Sequence, residues 1–298
     1  MNSGRSNLVS TPTINHAPHT RSDRSIGSIL MDAGRLKPES AEAILRTQRE
    51  QGLRFGDAAM QLGLLTPSDI EFAVALQFDY PYLVSGQSDL SESLIAAYNP
   101  FTPQVEALRA LRSQLMVRWF DEDVGHRALA IVSAERNEGR SFLAANLAIV
   151  FSQLGERTLL IDADLRNPSQ HRLFSLDNRA GLSAMLTGRA GPESIHRIAA
   201  LRDLSVLTAG AQPPNPSELL GRPDFAHLMR ELANQFDVLI VDTSAAADTT
   251  DALSVSMCAK GALIVARKNV SRFGRLRAVT ENSLHSRATI VGTVLNDF

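Results

Sequence analysis

From residue 128 onward, short apolar runs alternate with longer stretches of helical character. The runs are Ala128–Ser133 (ALAIVS), 158–164 (TLLIDAD), 204–210 (LSVLTAG), 237–243 (DVLIVDT), 262–267 (ALIVAR) and Thr289–Asn296 (TIVGTVLN). Their near-continuous apolar character fits strands buried on both faces, with helices between them. The alternation predicts an α/β fold, a doubly wound parallel sheet over residues 98–298. The earlier part reads differently. Residues 25–48 and 54–77 repeat at an offset of 29, superposing Gly27 on Gly56, Gly34 on Gly63, Leu36 on Leu65, Pro38 on Pro67 and Gln48 on Gln77. Each copy predicts a short helix, a glycine cap, then a proline-opened second helix. A small all-α repeat domain over 23–97 follows. Residues 1–22 lack apolar periodicity and predict a flexible leader. Residues 101–123, after Asn99-Pro100, read as a connecting helix.

Composition narrows the function. The chain has 298 residues, 44% apolar, with a net charge of -2. That balance argues against bulk capture of nucleic acid. One cysteine, Cys258, excludes an internal disulfide and a zinc cluster. The longest apolar runs, 128–134 and 144–151, fall short of the roughly 20 residues a bilayer span needs. No apolar signal core opens the sequence. The expectation is a cytoplasmic chain that reaches a membrane only through a partner. Of 30 basic residues only Lys37, Lys260 and Lys268 are lysine, so any other cationic chemistry falls to arginine.

The first chemical motif is Ala134-Glu-Arg-Asn-Glu-Gly139-Arg140-Ser141, after a strand and opening a helix. Consecutive N–H groups and the helix N-terminus there suit a polyphosphate. Gly139 permits close backbone approach, and Ser141 places a hydroxyl for Mg²⁺. Arg140 stands where a lysine is expected, and the two are not interchangeable. Two further strands end in acids: Asp162 with Asp164, and Asp242. Carboxylates at i and i+2 of a strand point the same way and can hold a metal or orient a hydroxyl. A single strand-end Asp can equally cap a loop. Three of them, in order beside a phosphate loop, make chance a poor account.

With these motifs in place, residues 104–298 resemble the bacterial tyrosine kinases of polysaccharide chain-length control, relatives of the septum-site and partition ATPases. LLIDADLR, GLSAMLTG (181–188), PPNPSELLG (213–221) and FDVLIVDT carry the resemblance in order. The resemblance implies ATP and Mg²⁺ as cofactors. It implies a phosphate cradle of Asn137, Glu138, Gly139, Arg140, Ser141 and Phe142, with Asn296 near the adenine. It implies metal binding by Ser141, Asp162 and Asp242, and catalysis by Asp162, Asp164 and Arg140, with Asp162 orienting the hydroxyl. Glu106, Arg109 and Arg112 match a Glu-x-x-Arg-x-x-Arg oligomerisation motif, implying a homo-oligomeric ring. The implied partner is a membrane-embedded polysaccharide co-polymerase. The repeat domain is similar to the leading domain of type II secretion and pilus ATPases, where related patterns bind cyclic-di-GMP; Arg24, Gly27, Gln48, Arg54, Gly56 and Gln77 are the matching residues.

The sequence departs from the family in places. Thr243-Ser244-Ala245 replaces Thr-Pro-Pro, no tyrosine-rich tail follows Asn296, and the three tyrosines are Tyr80, Tyr82 and Tyr98. With Arg140, these favour a second reading: a catalytically weak nucleotide-binding switch or scaffold of the same machine. A partition-type positioning ATPase is the third, and the lack of lysine in 134–138 counts against it. Residues 267–287 carry six Lys/Arg against Glu281; they read as a solvated helix or as a docking surface for an acidic partner.

Overall fold

The computed structural model describes residues 25–77, 82–83, 85–120, 125–247, 249–285 and 287–298. The leader, Arg24, Tyr80 and Pro81 lie outside the described residues. Among the described residues no helix is long and apolar enough to cross a membrane.

Two compact units divide between residues 80 and 81. In the first, α1 (Ile26–Asp32), α2 (Pro38–Gln51), α3 (Phe55–Gln61) and α4 (Pro67–Gln77) reproduce the expected repeat. The 29-residue offset reappears in the core. Ile29 and Ala58, Leu30 and Ala59, Leu36 and Leu65, and Ile44 and Ala73 are all buried in one cluster. Gly34 and Gly63 both adopt positive φ, 69° and 66°, which lets each copy turn sharply into the next helix. Arg35 ties the copies together, 3.0 Å from Asp69 and over the Phe72 ring at 4.1 Å.

The second unit opens with α5 (Ile95–Tyr98) and α6 (Pro103–Arg118). The sheet and its helices follow: β1 (Ala128–Ser133), α7 (Arg140–Ser152), β2 (Thr158–Asp162), α8 (Gln170–Leu173), α9 (Leu182–Leu186), β3 (Ile195–Arg197) and β4 (Leu204–Leu207). Then come α10 (Pro216–Gly221), α11 (Pro223–Ala233), β5 (Val238–Asp242), α12 (Asp251–Ala259), β6 (Gly261–Arg267), α13 (Phe273–His285) and β7 (Thr289–Asn296). The sheet order is β3-β4-β2-β5-β1-β6-β7. Every pairing is parallel except β3 with β4. The doubly wound parallel sheet is as expected, with one antiparallel edge strand whose three residues, Ile-His-Arg, carry no apolar run to announce it. β1, β2 and β5 are buried throughout, with one apolar cluster on each face of the sheet.

The domain boundary also needs correction. Ser93, Leu94, Ala96 and Ala97, expected in the helical domain, pack with α7 instead. The buried Asn146 side chain accepts from Ala96 N–H (2.9 Å) and donates to Ser93 O (3.1 Å). Leu94, Ala96, Ala97 and Tyr98 join the sheet's core. Two of these four buried residues are alanine, which leaves little apolar pattern to read.

Candidate functional site

The parallel strands β1, β2 and β5 end side by side, and register pairs Asp162 with Asp242. A polar cavity of about 430 Å³ opens there, lined by Asn137, Arg140, Ser141, Asp164, Arg166 and neighbours. The carboxyl ends of adjacent parallel strands are where such sheets place ligands. The loop from β1 to α7 forms one wall. Asn137 and Gly139 hold positive φ, 60° and 90°. A side chain at Gly139 would also collide with the Asn296 amide and the Phe298 ring, so glycine is required twice over.

The loop is braced from behind. Glu138 is buried; its carboxylate accepts from Glu135 N–H (2.8 Å) and from the Ser271 hydroxyl. The Asn296 amide donates to Glu138 O at 2.9 Å. Arg267 lies over the Phe298 ring at 4.2 Å and donates to Phe298 O.

Behind the cavity wall, the fully buried Asp242 carboxyl has the Ser141 hydroxyl among the groups that lower it. Gln170 Nε2 donates to Asp242 Oδ2 at 2.8 Å. Asp242 Oδ1 is buried with no hydrogen-bond partner among the described residues; Arg140 Nε is 3.6 Å away. A buried carboxylate oxygen that has this ion pair but no hydrogen bond, close to a hydroxyl, fits a hard divalent cation. Asp162 is differently employed. Its Oδ1 accepts from Asp164 N–H (3.2 Å), and its Oδ2 from Ser169 and Gln170 N–H (2.9 Å each). It therefore caps the turn into α8, whereas the carboxylate oxygen without a hydrogen bond belongs to Asp242. Burial, and then the neighbouring Asp242, push the Asp162 carboxyl up to about 8. Burial raises Asp242 as well, opposed by Arg140 and by bonds from Ser141 and Gln170.

Arg140 is in the site but turned inward. Nε donates to Thr243 O (2.5 Å), Nη1 to Ser133 Oγ (2.5 Å), and Nη2 lies 3.4 Å from Asp164 Oδ2. Asp164 Oδ1 accepts from Arg166 N–H (3.2 Å) and Asn167 N–H (2.9 Å). The pair thus neutralises itself within the wall.

No protein-family model matches the chain. Curated relatives do. The chain is 32% identical over 209 residues to the tyrosine-protein kinase YwqD of Bacillus subtilis, spanning 70% of this chain and 87% of YwqD. It is 32% identical over 202 residues to the tyrosine-protein kinase Etk of Escherichia coli, spanning 68% of this chain but 28% of Etk. The chain belongs to the bacterial tyrosine kinase family. Solved structures agree. The Etk kinase domain superposes with a TM-score of 0.66 at 30% identity, over 71% of this chain and 82% of that one. The chimerical protein CapA2B2 superposes with a TM-score of 0.65 at 34% identity, over 76% and 98%. The kinase also shares its fold with the septum site-determining protein MinD of Pyrococcus horikoshii, at a TM-score of 0.51 and 22% identity. It is a protein-tyrosine kinase of the P-loop ATPase type.

The remaining residues of interest in the kinase divide as follows. Phe142 and Asn296 line an apolar groove of about 900 Å³ between α6 and β7, with Leu108, Leu111, Leu143 and Val294. On α6, the exposed Glu106 pairs with the largely covered Arg109. Arg112 instead turns inward and donates to Val150 O at 2.8 Å. In the helical unit, Gly27, Gln48 and Gln77 line a cavity of about 360 Å³, but Arg54 and Gly56 do not. Gly27 and Gly56 are accounted for by packing, facing Phe55 and Ile70. The cyclic-di-GMP set is therefore not gathered at one place among the described residues. Sequence reasoning missed Gln170, Ser133 and Ser271. Ser133 alone carried a signal, as a polar residue closing an apolar strand.

Proposed function

We propose that this kinase binds ATP with Mg²⁺ at the β1–α7 loop and transfers phosphate to tyrosine, regulating exopolysaccharide chain length and export with a membrane-embedded co-polymerase. The observation that carries the reading is the buried Asp242 Oδ1, which has no hydrogen-bond partner among the described residues, beside Ser141 at the phosphate loop. In this reading Ser141 and Asp242 hold the cation, and loop N–H groups bind phosphate oxygens. The apolar groove beside Asn296 takes the base. The cation supplies charge neutralisation on the phosphates. Asp162 fixes the turn that presents Gln170 and, once ionised, orients the acceptor hydroxyl. Glu106 and Arg109 present the surface for ring assembly. The similar CapA2B2 protein is a chimera; for this kinase, the cytoplasmic segment of a membrane protein is the partner proposed.

The inward Arg140 favours one further reading, a nucleotide-gated scaffold with slow transfer. The test is incubation of the full chain with γ-labelled Mg-ATP, with and without the partner's cytoplasmic segment. Phosphotyrosine is expected, falling at least about 100-fold in Asp242→Asn and Ser141→Ala. Tight nucleotide binding with no label in either condition supports the scaffold instead.

A further inference from the structure

The inward commitment of Arg140 leaves the phosphate cavity needing another cation. Three of its nitrogens face Thr243 O, Ser133 Oγ and Asp164. A guanidinium held this way has few donors left for a ligand. Arg136, Arg166 and Arg172 line the same cavity, and of these Arg166 is clamped by a buried carboxylate. It is also the residue that this cavity shares with a neighbouring one of about 490 Å³.

Arg166 is held in a way suited to that position. Its Nε donates to Asp251 Oδ2 at 2.7 Å, and its Nη2 donates to Ser217 Oγ at 2.9 Å and to Asp251 Oδ1 at 3.5 Å. Ser217 Oγ in turn donates to Asp251 Oδ1 at 2.5 Å. Asp251 is fully buried at the start of α12, while the Arg166 side chain is 32% exposed. Nη1 has no hydrogen-bond partner among the described residues. One edge of a planar cation is therefore clamped by a buried carboxylate and a hydroxyl, and the other edge remains available. Such a clamp removes the rotamer freedom that an unbraced arginine loses on binding. It also prevents reorganisation during charge transfer.

We propose that Arg166 is the catalytic cation that contacts the terminal phosphate, with Asp251 and Ser217 as its positioning residues. This rests on the Mg-nucleotide reading above and deepens it. Asp251 opens α12 and Ser217 lies in α10, within PPNPSELLG. The motif therefore reaches the phosphate site through the orientation of one guanidinium.

The experiment measures affinities of the full chain for Mg-ADP and for a non-hydrolysable Mg-ATP analogue by calorimetry, alongside kcat and KM. Arg166→Gln is expected to weaken the ATP analogue about tenfold or more relative to ADP. Because that change strands a buried carboxylate, the double variant Arg166→Gln/Asp251→Asn is measured too, with melting curves for both. The double variant is expected to melt closer to wild type and still lose the discrimination. Asp251→Asn alone is expected to lower kcat with little change in KM. Equal weakening of both nucleotides, or phosphorylation and both affinities left intact, overturns the role of Arg166. Failure of the wild-type chain to bind either Mg-nucleotide overturns the nucleotide reading itself.

Discussion

Asp162 shows how one position can be correctly placed by sequence and differently used. Its location at a strand end was legible from the apolar run before it. Its three backbone partners were not, because they come from residues 164, 169 and 170, whose return depends on the turn. The raised carboxyl has a consequence that can be measured. The folded protein retains a proton that the unfolded chain releases above the ordinary carboxylate range. Stability from this group is therefore fully present below about pH 4 and is lost as pH rises through about 8. Metal-free protein is expected to melt lower at pH 8.5 than at pH 6. Asp162→Asn should flatten that slope, and an unchanged slope would refute the assignment. The arginine excess acquires a place at this scale too. Lys260 caps α12 at φ 63° and Lys268 pairs with Asp297, so neither serves the phosphate loop.

Among elements, the central strands were legible because burial on both faces leaves uninterrupted apolar runs. β3 was not, since a three-residue edge strand buries too little to impose a pattern. The helix α6 was legible in extent, yet its Glu-x-x-Arg-x-x-Arg triplet is split by packing. Arg112 reaches Val150 O, one of the last carbonyls of α7, which have no partner within that helix. Glu106, which is exposed, pairs with the largely covered Arg109, and an ion pair with one partner in solvent contributes little to folding. Arg112→Ala is expected to cost roughly 1–3 kcal/mol, seen in thermal melting. Glu106→Ala should leave the melting temperature nearly unchanged while shifting sedimentation towards monomer with nucleotide present. Equal melting losses for the two variants would show that all three residues serve the fold alike.

At the scale of the whole molecule, the repeat was the clearest sequence signal and its boundary the least clear. An exact 29-residue offset survives into paired core positions because each copy buries the same face. The segment after it has no such period. It belongs to the second unit through Leu94, Ala96, Ala97 and Tyr98, through Asn146, and through Ser91 N–H to Leu173 O at 2.9 Å. Small side chains buried under a single asparagine leave no hydrophobic periodicity to read. Two truncated chains separate the alternatives. A chain starting at residue 81 keeps this segment and is expected to melt as one cooperative unit and bind nucleotide. A chain starting at residue 99 exposes the α7 face and strips the Asn146 amide of two partners. It is expected to lose at least about 3 kcal/mol, or ~6–12 °C in melting temperature. If the two chains melt together, residues 82–98 contribute nothing to the kinase unit, and the boundary belongs near residue 97.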